Sequence, residues 1–213
     1  MTTDFFSPAL FVALTAFAVG VASPGPSTMA IMATAMSQGR RQAIALAAGV
    51  VCGSLMWGLA ASLGLSAFMQ AYSWGLLLLK FLGGLYLLFL SWKAARSALA
   101  TGSPKLADSV DVCSKWRAFS SGLGMHVSNP KAIFVWLSIV ALALPPGASK
   151  EHALGVVGFC ASIAAIVFFG YALAFSTGIA RTIYSKAHRW LNATLSAVFA
   201  VAGVRLLSSC SAP

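Results

Sequence analysis

Charge is what this chain has least of, and negative charge above all. Only 8% of its 213 residues are charged, and four of them are acidic. A soluble domain carries roughly 25% charged residues, so too few are present to cover a water-facing surface. Lipid must be the solvent for most of the chain. Asp4, Asp108, Asp111 and Glu151 all lie outside the middle of any apolar run. Proton coupling through a buried carboxylate, a common device of transporters, is therefore not available. Cysteine is sparse as well. Cys52, Cys113, Cys160 and Cys210 are scattered, with no metal spacing and no partner histidines, and read as small fillers or a loop thiol. No metal and no cofactor is expected. The alternating strands of a β-barrel are missing too. A cleavable signal is not expected either: Asp4 stands where one would carry Lys or Arg, and the apolar run after it is too long.

What the chain does have is apolar length. Hydrophobic residues make up 59% and mean hydropathy is +0.87. Six apolar runs can be read, at about 5–36, 43–69, 74–97, 119–144, 153–178 and 190–208. Each reaches or approaches the roughly 20 residues of a spanning helix. Backbone polar groups in hydrocarbon must be satisfied within their own segment, so the runs are read as helices. The expected fold is an all-α polytopic membrane protein with six transmembrane helices. Residues 1–98 hold the first three, 99–118 form a polar, turn-rich cytoplasmic loop, and 119–213 hold the last three.

The net charge of +10 is explained by where the basic residues sit, without nucleic acid. Arg40 and Arg41 lie between the first two runs. Lys93, Arg96, Lys105, Lys115 and Arg117 surround the middle link, and Arg181, Lys186 and Arg189 lie between the last two. Alternate links put these on one side, which the positive-inside bias makes cytoplasmic. Both termini are then expected in the periplasm.

The two halves carry related motifs. Ser23-Pro24-Gly25-Pro26 lies inside the first run and Ser128-Asn129-Pro130-Lys131 inside the fourth. With three spans per half, the second half enters from the opposite side, which makes an inverted-topology repeat with broken helices 1 and 4. Proline inside a helix removes a donor from the carbonyl four residues back. Pro24 thereby frees Gly20, Pro26 frees Ala22, and Pro130 frees His126. Half-helix N-termini attract a carboxylate, and loose carbonyls attract an ammonium; an amino acid carries both. Lys131, a cation near the membrane centre, is a candidate for the carboxylate or for a change of protonation. Asn129 can bond either end of a substrate, and His126 titrates near neutral pH when unperturbed. Ala45, Gly49 and Gly53 mark a close helix contact. Trp74, Trp92, Trp116 and Trp190 read as headgroup anchors.

These residues, with Ser37-Gln38-Gly39-Arg40-Arg41 and Lys80-Phe81-Leu82-Gly83-Gly84-Leu85-Tyr86-Leu87, make the chain resemble the lysine exporter (LysE/RhtB) family of bacterial amino-acid efflux proteins. The resemblance implies residence in the bacterial inner membrane and export of amino acids or derivatives, driven by proton exchange. It departs at Ser23, where relatives often have Asn, at Pro145-Pro146-Gly147, and at His126. The expected substrate site is Ser23, Pro24, Gly25, Pro26, Asn129, Pro130 and Lys131, with His126 and Lys131 as proton-coupling candidates. Expected partners are an amino acid and the lipid bilayer, with a homo-oligomer left open. An exporter of another solute or cation on the same scaffold is the main alternative. A membrane-embedded enzyme is the weaker one, since no nucleophile–base pair is evident.

Overall fold

The structure, a computed structural model, describes residues 8–71, 75–100, 114–144 and 148–208. Among these residues all regular structure is helical. Eight helices follow in order: α1 Pro8–Ala22, α2 Pro26–Ser37, α3 Arg40–Ala71, α4 Gly75–Leu99, α5 Lys115–Val127, α6 Pro130–Ala143, α7 Lys150–Ala174 and α8 Gly178–Ser208. Residues 40–62 of α3 and all of α7 are long and apolar enough to cross a membrane, and so is the pair α1 and α2 taken as one span bent by 48°. The chain is a helical membrane protein. Most of the middle link, the Pro145-Pro146-Gly147 turn, Trp74, Asp4, Cys113 and Cys210 lie outside the described residues.

The prolines set the helix boundaries. Pro26 and Pro130 each stand at the first position of a helix, where the missing N–H has no helical partner to lose. Gly39 turns the chain from α2 into α3 at φ +86°, a left-handed conformation that a Cβ disfavours. The last run differs most from its sequence reading. It begins at Gly178 rather than near Trp190 and is 31 residues long, roughly 46 Å at 1.5 Å per residue. Polarity had marked residues 179–189 as a link, but a helix longer than the hydrocarbon simply continues into water.

Packing divides the helices into two bodies. α3 is central, against α5 and α7, with α1, α2 and α6 completing a core. A Cβ on Gly49 would stand 2.0 Å from Phe119 O, and one on Gly122 2.2 Å from Leu46 O. The small-residue face read in the second run is therefore the α3–α5 contact. α4 and α8 form the second body, an arm whose helices pack chiefly on each other and reach the core mainly through α6. The arm has its own apolar cluster, Leu90, Leu195 and Phe199. Phe11, Val12, Phe81, Ile166, Val201 and Val204 are exposed, as lipid-facing side chains should be. Trp92, Trp116 and Trp190 are exposed, each beside basic residues (Lys93, Lys115 and Arg189), the setting of a headgroup anchor.

Candidate functional site

The two proline motifs face each other across the core. α1 stops at Ala22 and α2 starts at Pro26; α5 stops at Val127 and α6 starts at Pro130. Lys131, buried on the first turn of α6, reaches across. Its Nζ donates to the Ser23 carbonyl at 2.7 Å and also to Ser23 Oγ. A cation at the start of its own helix opposes that helix's dipole, yet here it lies against the C-terminal end of α1, where the dipole is negative. Burial of an ammonium is tolerable only with such partners. Behind it, Ser27 Oγ lies 3.0 Å from His126 Nδ1, and Asn129 Nδ2 donates to Ser27 Oγ at 3.4 Å. Asn129 Oδ1 caps α6 by accepting from the Lys131 amide at 3.0 Å.

The carbonyls expected to be loose are not. Gly20 O accepts from Ser23 Oγ at 2.9 Å, Ala22 O from the Tyr171 hydroxyl at 2.7 Å, and His126 O from the Asn129 amide at 3.1 Å. Trp57 Nε1 completes the second break by donating to Val127 O at 3.1 Å. An acceptor buried without a donor costs about 1–3 kcal/mol, which is why donors fill these positions. Their origin is regular: α7 supplies Tyr171 to the end of α1, and α3 supplies Trp57 to the end of α5.

Two cavities meet at the breaks. The larger, of about 650 Å³, is walled by Ser23, Pro24, Gly25, Pro26, Asn129, Pro130 and Lys131 on the core side. All seven residues proposed from sequence for the substrate therefore share one chamber. Tyr86, Lys93, Ser97, Tyr184, His188 and Asn192 of the arm form its opposite wall. His126 lines instead a pocket of about 30 Å³ with Ser27, Thr28, Ser54, Asn129 and Lys131, of a size to take about one water. Another cavity, apolar and about 630 Å³, lies between α1, α6 and the arm. Tyr86 and Phe199 line both large cavities, and Tyr86 stacks on Phe134 with ring centroids 4.4 Å apart.

Sequence reasoning missed the arm's wall. Lys93 had been read only as a topology signal and residues 179–189 as a link. The signal was present: Tyr184, His188 and Asn192 recur every four residues, the spacing of one helix face.

Apolar helices throughout the described residues, helix ends that meet at two proline motifs and a cationic chamber beside them are the features of a membrane transport protein. The chain belongs to the LysE type translocator family, which matches residues 18–210. It is 29% identical over 194 residues to the threonine efflux protein of Escherichia coli, covering 90% of this chain and 93% of that protein. It is 26% identical to the cysteine/O-acetylserine efflux protein of Klebsiella pneumoniae, over 87% of this chain and 90% of that one. No solved structure matches the chain. The family makes this an integral membrane protein of bacteria.

Proposed function

We propose that this protein exports amino acids or their derivatives from the cytoplasm across the inner membrane, by alternating access and in exchange for protons. The observation that carries the reading is the bond from Lys131 to Ser23, which joins the two breaks in the wall of one chamber. In the structure the ammonium is paired with the end of α1. An incoming carboxylate is the stronger acceptor, because a bond between two ions exceeds one to a neutral carbonyl, and displaces Ser23. Ser23 Oγ and Asn129 then face the amino group. His126, held by Ser27 and adjoining the same small pocket as Lys131, is the proposed proton exchanger.

The scaffold in this reading is two inverted repeats, residues 1–98 and 119–213, with both termini periplasmic. The reciprocal donors favour it. Tyr171 on the middle helix of one half serves the break of the other, and Trp57 does the converse. The arm α4–α8 moves against the core. Its movement parts Tyr86 from Phe134 and opens the chamber toward the outer apolar cavity. The names of the relatives, threonine and cysteine/O-acetylserine efflux proteins, support a small amino acid as cargo.

The test is efflux of radiolabelled threonine and O-acetylserine from loaded proteoliposomes, with and without a pH gradient. Efflux accelerated by an inward proton gradient, and lost in Lys131→Ala, is expected. Equal rates for wild type and Lys131→Ala would remove the junction from the mechanism.

A further inference from the structure

The chamber has a polar wall that neither break supplies. On α4, Lys93 and Ser97 stand one turn apart, and on α8, His188 and Asn192 do the same; all four line the cavity. Residues four apart share a helix face, and these two helices pack along each other. Asn192 Nδ2 donates to Ser97 Oγ at 3.1 Å, which fixes the amide and ties the faces together. His188 and Asn192 are buried, while Lys93 is exposed where it enters the chamber. Nearer the end of α4, Arg189 Nε donates to Ala98 O at 3.0 Å. None of the described residues lining the chamber is acidic. Holding two helices together in lipid does not require this chemistry; apolar and small-residue packing suffices, as at Gly84 and Gly203 farther along the same pair.

We propose that Lys93, His188 and Asn192 form a second carboxylate site, an intake station that holds the acid group of an amino acid before it reaches Lys131. The inference rests on the exporter reading above. The Lys93 ammonium supplies a charge-assisted bond, on a stem long enough to follow a moving ligand. Asn192, oriented by Ser97, and the buried His188 ring, tilted against Tyr184, supply polar edges. A cationic mouth with low-dielectric walls raises the local concentration of anionic groups. A solute with a second ammonium meets no acid among these residues, so lysine is a poorer cargo than threonine.

The purified protein is reconstituted in vesicles of phosphatidylcholine alone and of phosphatidylcholine with phosphatidylglycerol. Initial efflux of radiolabelled threonine is measured against its internal concentration. Lys93→Gln is expected to raise the half-saturating concentration about tenfold, the value of one charge-assisted bond, with the maximal rate little changed and in both lipids alike. Lys93→Arg stays near wild type. Ser97→Ala, which releases Asn192, shifts half-saturation in the same direction by less, and decides the matter if Lys93→Gln does not fold. An unchanged half-saturation, or a loss confined to the maximal rate, overturns the station. An effect seen only with phosphatidylglycerol assigns these residues to a lipid headgroup and also overturns it. Should the wild type itself export no amino acid, the exporter reading falls, and the station with it.

Discussion

The first break presents oxygen acceptors at the junction, whereas the second presents nitrogen donors. Ser23 offers its carbonyl and hydroxyl to the Lys131 ammonium, and Ser27 offers its hydroxyl to the Asn129 amide. Proline performs the same covalent act in both, and the carbonyls it releases all find donors: Ala22 O from Tyr171 at the first break and His126 O from the Asn129 amide at the second, where Trp57 also serves the neighbouring Val127 O. The two breaks therefore share a backbone device and differ in the side chains they bring to it, acceptors at one and donors at the other.

The largest effect expected from disturbing this complementarity is at Lys131. Lys131→Ala should cut efflux at matched protein levels by about a hundredfold, the upper value for bonds to a charged group. Ser23→Ala keeps the carbonyl and should lose about tenfold or less. Comparable losses in both variants would mean that the hydroxyl, not the backbone, is the main acceptor. Next come the matched donors. Tyr171→Phe and Trp57→Phe each leave a part-buried carbonyl without its donor and should each lower stability by about 1 kcal/mol, read from thermal unfolding in detergent. If one is silent, the two breaks are not held equivalently. Gly25→Ala places a methyl 3.1 Å from Lys131 Nζ and 3.2 Å from its Cδ. It should shift the ammonium by a few tenths of an ångström against Ser23 and slow efflux several-fold, at a cost of about 1 kcal/mol of crowding. The smallest effect is at Ser27. Ser27→Ala unties His126 from Asn129 at a cost of about 1 kcal/mol, and should alter the pH profile of efflux more than its maximal rate.

How much of this was legible beforehand follows from the range of each interaction. The breaks were legible because proline acts within its own turn: Pro26 and Pro130 begin helices as their chemistry requires. The close-packing face of α3 was legible because small residues at a fixed spacing have few other uses, though its partner α5 was not. The Lys131–Ser23 pairing spans 108 positions and depends on how two bundles dock, which no local pattern encodes. The same holds for Tyr171, an ordinary aromatic in the fifth apolar run whose hydroxyl has meaning only beside the end of α1. His188 and Asn192 were a different failure. Their four-residue spacing was visible, but polarity outweighed periodicity and the helix was begun twelve residues late, at Trp190 instead of Gly178.

Whether the Lys131 ammonium joins the two breaks can be read directly by solid-state NMR in membranes. Lysine labelled with 15N at Nζ is paired with serine labelled at the carbonyl carbon, and Lys131→Arg identifies the signal. A strong dipolar coupling between Lys131 Nζ and the Ser23 carbonyl is expected in the empty protein, falling when threonine saturates the site. No coupling in the empty protein, or a coupling that saturating threonine leaves unchanged, would contradict the account.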